Sequence, residues 1–319
     1  MTAKFPKSLA AAAAALAVMA AQAFPDKPVR IIVPFPAGGA TDVVARTFGQ
    51  RLSALWKQPV IVENKPGAGG NIGADAVAHA DPDGHTLLMA SPAEVAINQF
   101  LYKSMSYDPE KDLVPVTKAA SGPLVLVVHP SVPAKTLPEL IAWLKSRKDG
   151  TPYASSGIGG PQHLAGETFR MMTGTNLIHV PYKGGAPAIN DLVGGQVLMF
   201  FSGLPPALPH IKAGKLRAIA ITTTEPSALI PGVPTVDSVV HGFDFENWQG
   251  VFAPKGTPEA VVAQISRDVA TVSDAALAEV LAKQGAAPAP MTPAAFAAFV
   301  EKERRKYEAA VKASGAKVD

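Results

Sequence analysis

The stretch that most constrains the fold is Pro34-Phe35-Pro36-Ala37-Gly38-Gly39-Ala40-Thr41-Asp42, set between the apolar run Val29–Val33 and a helical pattern. Two adjacent glycines let a backbone turn sharply and approach a ligand with no side chain in the way. The helix that follows aims unpaired N–H groups and a partial positive charge into the same space. A strand, a glycine turn and a helix N-terminus in that order make an anion site. The expected occupant is a carboxylate, and the rest of the chain has to supply a second wall.

The rest of the chain repeats this unit. Thr41–Lys57 reads as a helix with Val44, Phe48, Leu52 and Leu55 on one face. Val60–Glu63 reads as a short buried strand. Gly67, Gly69, Gly70 and Gly73 form a turn into a helix through Ala80, and Asp81-Pro82-Asp83-Gly84 is a further turn before the strand Thr86–Ala90. This βαβαβ run is one half of an open parallel sheet. Two β-rich segments follow, Leu113–Lys118 and Leu124–His129, and then a helix opened by the capping box Thr136-Leu137-Pro138-Glu139. A second cycle has strands at Pro152–Ser155, Leu177–Val180, Val197–Ser202 and Leu216–Thr223. Pro161 and Pro187 suit first helical positions and Gly194 a helix end. Thr257-Pro258-Glu259, Asp274 and Thr292-Pro293 open three final helices, and the Glu301–Lys306 face of the last reads as solvated. Strands alternating with helices predict an α/β fold. Four strand ends run into loops carrying Gly or Ser, at Ala37–Thr41, Ser91, Ser155–Gly160 and Gly184–Gly185. Ligands of open α/β sheets sit beyond the carboxyl ends of strands, so two such sets facing each other would form a cleft.

Composition narrows the function. Lys4 and Lys7, the apolar run Leu9–Ala21 and Ala21-Gln22-Ala23 read as an export signal cleaved after Ala23, too short to span a bilayer comfortably. Its removal lowers Lys plus Arg from 29 to 27 against 26 acidic residues, and a nearly neutral chain lacks the strong basic face of a nucleic-acid binder. With 0 cysteines, thiol catalysis and cysteine metal sites are excluded. Gly67–Gly73 spells only an approximate nucleotide fingerprint and follows the second strand, which favours a structural turn. His163 and Glu167 share a helical face, but zinc needs a third protein ligand, and a capping or packing role fits them better. No G-x-S-x-G elbow surrounds Ser155 and Ser156, which speaks against a serine hydrolase. These serines either donate hydroxyl hydrogen bonds to a carboxylate or only cap the next helix. Phe35 and Tyr182 either cover a ligand from opposite sides or only pack. Asp42 is a poor direct partner for a carboxylate and is expected to accept N–H bonds and shape its loop. Trp248 reads as core or hinge packing.

Several motifs occur together in one order: Pro34–Gly39 with Asp42; Val62-Glu63-Asn64-Lys65-Pro66-Gly67-Ala68-Gly69-Gly70; Asp81–Thr86; Tyr153–Gly157; Gln162–Glu167; His179–Gly184; and Pro209–Ala218. The ordered set resembles the Bug family, periplasmic solute receptors of tripartite tricarboxylate transporters, over essentially the whole mature chain. The resemblance implies a two-domain Venus-flytrap receptor, each domain a mainly parallel sheet flanked by helices. Domain 1 would be residues 24–121 plus 222–319, and domain 2 residues 122–221. It implies no enzymatic activity, no cofactor, a small carboxylate ligand and a membrane permease as partner. The expected assembly is a monomer, and a periplasmic sensor kinase is an alternative partner. Expected ligand contacts are Phe35, Ala37, Gly38, Gly39, Thr41, Asp42, Ser91, Ser155, Ser156, Gly157, Gln162, Tyr182, Gly184 and Ser202. Two positions depart from the family pattern. Ser202-Gly203 stands where many relatives carry Asp-Asn, which reads against an amino-acid ligand. Glu94 stands where a smaller polar residue is expected, either restricting the cleft, meeting a ligand donor or facing solvent.

Overall fold

The computed structural model describes residues 24–318, so the expected export signal lies outside the described residues. The strands are β1 (Val29–Val33), β2 (Val60–Asn64), β3 (Thr86–Ala90), β4 (Leu113–Val128), β5 (Thr151–Ser155), β6 (Leu177–Pro181), β7 (Met199–Gly203), β8 (Arg217–Ile221), β9 (Glu246–Pro254) and β10 (Ala287–Pro288). The helices are α1 (Ala40–Trp56), α2 (Asn71–Ala78), α3 (Leu137–Ser146), α4 (Pro161–Thr173), α5 (Gly185–Val193), α6 (Leu204–Lys212), α7 (Glu259–Val272), α8 (Ala275–Ala282) and α9 (Pro293–Ser314). The hydrogen-bonded strand order is β2-β1-β3-β9-β4-β7-β5-β6, with β8 and β10 also paired to β4.

The first half contains the parallel set β2-β1-β3, in the register Val29↔Val60 and Arg30↔Thr86. The second contains the parallel set β7-β5-β6, with Tyr153↔Met199 and Tyr153↔His179. Between them run β4 and β9, antiparallel to each other. β4 is a single strand of 16 residues, not two segments. Ala119–Pro123 interrupts its β propensity, and Pro123 lacks a ladder donor. The backbone stays extended there because β9 pairs alongside, as far as Pro123↔Glu246. Beyond that point β4 pairs β7 and β8 instead.

Side-chain periodicity explains most of the core. Val44, Phe48 and Leu52 of α1, Leu137, Leu140 and Leu144 of α3, and Phe296, Val300, Tyr307 and Val311 of α9 are buried. Leu55 is 43 % exposed, one turn past the packed part of α1. β2 is an edge strand and not a buried one: none of its residues is fully buried, and Ile61 faces outward. The charged face of α9 also departs from expectation. Glu303 is buried, accepts the Trp248 indole N–H at 3.0 Å and pairs with Lys306. Trp248 itself is fully buried and meets Phe296 edge-to-face at 5.9 Å. Helix starts behave as their sequences require. Thr136 and Glu139 form the reciprocal capping box, and Asp274 and Thr292 cap α8 and α9. Pro187 falls two residues after Gly185, the start of α5; Gly194 ends that helix as its C-cap, and the left-handed glycine follows at Gly195. No helix among the described residues is long and apolar enough to cross a membrane.

A cleft lined by uncapped helix ends

A cleft of about 480 Å³ opens where the two parallel sets face each other. From the first set it is lined by Phe35, Gly39, Ala40, Thr41, Gly69, Ser91, Ala93, Asn98, Leu101 and Tyr102. From the second come Ser156, Gly157, Ile158, Gly159, Gly160, Pro161, Gln162 and Gly184. Asn247 of β9 and Val318 complete it. Three of these residues, Gly39, Gly160 and Gly184, are the N-caps of α1, α4 and α5, and none of the three helices has a side-chain cap. A glycine N-cap leaves the first-turn amides without an internal acceptor and open to a ligand. Thr136, Asp274 and Thr292 close α3, α8 and α9 with their own oxygens, whereas α2, α6 and α7 also start without a side-chain cap. Among the described residues, no Lys, Arg, His, Asp or Glu lines the cleft. It offers backbone N–H groups, hydroxyls and amides, which is the chemistry of anion capture without a counter-cation.

The loop geometry comes from side chains just outside the cleft. Asp42 is buried and accepts from Gly38 N–H at 2.9 Å, Arg46 Nε at 3.0 Å and Asn64 Nδ2 at 2.8 Å. Burial alone would raise its titration, but these donors hold it below the usual carboxylate range. The same bonds tether Arg46, and Asn64 also donates to the Phe35 carbonyl at 3.0 Å. Gly38 has φ of +82°, a conformation that favours glycine, and Gly39 does not. In the second half, Ser156 accepts from Gly184 N–H at 3.1 Å, which ties the β5 and β6 loops together. Leu101 crosses to the facing wall so closely that a Cβ on Gly159 would lie 2.2 Å from it.

Eight of the expected contact residues line the cleft: Phe35, Gly39, Thr41, Ser91, Ser156, Gly157, Gln162 and Gly184. Six do not. Ala37 is exposed at the loop tip, and Gly38 and Asp42 brace the loop. Ser155 is fully buried, with Oγ 2.6 Å from His179 Nε2 and 2.8 Å from the Gly157 carbonyl. Tyr182 donates its hydroxyl to Asp191 at 2.8 Å and packs on the second-half core, its titration raised to about 12 by burial and that carboxylate. Ser202 is fully buried and donates to the Gly203 carbonyl. The hydroxyls of Ser155, Tyr182 and Ser202 each have an acceptor within the protein, which residue type alone does not reveal.

The His163–Glu167 pair has internal partners. His163 Nδ1 accepts from Gly159 N–H at 3.0 Å, while Glu167 accepts from Tyr153 and Arg170. His163 stacks on His179 at 3.7 Å. Burial, and for His179 the neighbouring imidazole, keeps both rings neutral, with His179 lowered to about 3. Glu94 is not solvent-facing: it is fully buried, accepts from Ser91 N–H at 2.6 Å and Ser91 Oγ at 2.8 Å, and is pushed up to about 7 by burial.

Two facing α/β halves joined by long shared strands, with a ligand-sized cleft between uncapped helix ends, define a solute receptor of the periplasmic-binding-protein fold. The chain belongs to the tripartite tricarboxylate transporter receptor family, whose model matches residues 44–316. BugT of Bordetella pertussis is 38% identical over 311 residues, covering 97% of this chain and 95% of that protein. The R. palustris protein Rpa4515, solved with adipate, has a TM-score of 0.81 at 34% identity, covering 92% of this chain and 100% of that one. MatC from Rhodopseudomonas palustris, solved with bound malate, has a TM-score of 0.76 at 33% identity, covering 90% and 100%. The family is one of periplasmic solute-binding receptors, not enzymes.

Proposed function

We propose that this protein captures a small organic carboxylate in the cleft and delivers it to the membrane permease of a tripartite tricarboxylate-type transporter. The observation that carries the reading is the convergence of the Gly39, Gly160 and Gly184 helix ends on one cleft whose lining, among the described residues, has no charged side chain. Adipate and malate in Rpa4515 and MatC support the same ligand class. One carboxylate end docks on Phe35–Thr41 with Ser91, and the facing loops at Ser156, Gly157, Gln162 and Gly184 hold the other side. Charge-assisted hydrogen bonds contribute about 1.5–3 kcal/mol each. Three or four of them reach micromolar affinity, about −8 kcal/mol, after the costs of association. A bidentate arginine is not required.

The two lobes are residues 24–121 with 222–319, and residues 122–221. The exchange of strand partners along β4 at Gly122-Pro123 supports that division. Export follows cleavage after Ala23.

The test is a thermal-shift screen of ligand-stripped mature protein against adipate, malate, succinate and benzoate. An acid at 100 times its dissociation constant adds about 2.7 kcal/mol to stability. Absence of any shift across the panel would overturn the carboxylate reading.

A further inference from the structure

Ser91 lines the cleft, yet neither of its donors is free for a ligand. Its N–H and its Oγ–H both go to the carboxyl of Glu94, at 2.6 and 2.8 Å. That carboxyl is fully buried, and its hydrogen-bond partner among the described residues is Ser91, with no cation beside it. It lies directly behind the ligand wall: a Cβ placed on Gly70 would sit 3.1 Å from Glu94 Oε2 and 3.3 Å from Phe35 Cζ.

We propose that Glu94 makes carboxylate capture proton-linked, so that the receptor takes up one proton at this buried carboxyl when an organic carboxylate docks against Ser91. The inference rests on the carboxylate reading of the cleft.

The chemistry follows from two protonation states. Ionised, Glu94 accepts only. It holds both Ser91 donors and sets a negative charge one residue behind the place where the ligand's own charge must sit. Two carboxylates sharing a site cannot both stay ionised without a large penalty. Protonated, Glu94 is neutral and its O–H can donate to Ser91 Oγ. The serine hydroxyl is then free to donate to the ligand. The proton comes from the buffer, and no bond other than O–H is made or broken.

Among the described residues, no ion pair to the Glu94 carboxyl is found. Ala68–Gly70, β3 and Asn98–Phe100 carry no ionisable side chain. α2 contributes Asp75, an acid. From the following loop, Tyr107 donates its hydroxyl to the Glu94 carbonyl at 2.5 Å. On α9, Arg304 pairs with Glu301 and Glu110, Lys306 pairs with Glu303, and Tyr307 is buried. Burial pushes the carboxyl up to about 7, and no cation among the described residues pairs with it to bring it back down, so it titrates within reach of ordinary pH changes.

The experiment is calorimetric titration of the full mature protein with the tightest of adipate, malate, succinate and benzoate, whose carboxyls are ionised throughout pH 6.5–8.5. Buffers of different ionisation enthalpy count the protons taken up. The dissociation constant should rise about tenfold per pH unit once Glu94 ionises, because only the protonated fraction is competent. Uptake should approach one proton per ligand at pH 8.5. Glu94→Gln should bind at pH 8.5 about as tightly as the natural protein at pH 6.5, with no pH slope and no uptake. A flat affinity and a zero proton count in the natural protein would overturn the proposal while leaving the carboxylate reading intact. So would a slope that persists in Glu94→Gln. Binding of none of the four acids would overturn both. The profile of the natural protein decides the matter even where the variant folds poorly.

Discussion

Asp42 and Glu94 are both buried carboxyls, and they shift in opposite directions: at Asp42 the donors outweigh burial, and at Glu94 burial outweighs the two Ser91 donors. Asp42 is held below the usual range by Arg46, Gly38 and Asn64, so the stability it contributes is present above its unfolded titration and is lost as pH falls through the folded one. Glu94 is raised from 4.5 to about 7, so the folded protein holds the extra proton between those values. Its contribution therefore falls as pH rises through that window, and the penalty is complete above it. Glu94→Gln should raise stability by about 3 kcal/mol at pH 8 and by almost nothing at pH 4.5, read from urea melts. The glycine pair at the cleft gives a second test. Gly38→Ala forces a left-handed conformation and should cost about 1–2 kcal/mol, whereas Gly39→Ala should change stability by less than about 0.5 kcal/mol. The glycine loop, and the bracing role of Asp42 within it, were legible in the sequence. The difference between Gly38 and Gly39 was not, since φ is set by the loop's hydrogen bonds and not by residue type. Glu94 was visible only as a departure; its burial comes from the segments packed over it.

Helix N-termini separate two uses of the same chemistry. Thr136→Ala should destabilise by about 0.5–2 kcal/mol and leave ligand affinity unchanged, because that cap lies outside the cleft. Gly160→Asp should do the reverse. Gly160 already has extended backbone, and its new Cβ would meet only the flexible end of Gln162, at 3.3 Å. The carboxylate would cap α4, hold or raise the melting temperature, and abolish carboxylate binding by occupying the amides the ligand needs. Paired melting and titration curves for the two variants check both statements. Most elements were legible here: the 3.6-residue patterns of α1, α3, α7 and α9, and the caps at Thr136, Asp274 and Thr292. The failures share a cause. The continuity of β4, the edge position of β2 and the burial of Glu303 each depend on a partner far away in sequence, namely β9, β1 and Trp248.

The two halves and the cleft between them could be inferred from the repeated strand–loop–helix units, but much of the lining could not. Asn247 arrives on β9, while Leu101 and Tyr102 follow the irregular turns after β3. Val318 reaches the cleft by pairing with Leu101 and Tyr102, a contact no local pattern announces. If the lobes at 24–121 with 222–319 and at 122–221 hinge about the shared strands, a saturating ligand should lower the radius of gyration of the mature protein in small-angle scattering. An unchanged radius with full occupancy would mean that the lobes are already closed without ligand. The uncharged lining also has a kinetic consequence. Receptors that draw anions to arginine or lysine rely on long-range attraction, which dissolved salt weakens. Here the attraction resides in short-range amide and hydroxyl dipoles. At fixed pH, the association rate of a carboxylate measured by stopped flow should therefore be nearly the same in dilute buffer and at about 0.5 M salt, where the Debye length has shrunk to a few ångströms. A receptor built this way keeps its capture rate when the ionic strength around it changes.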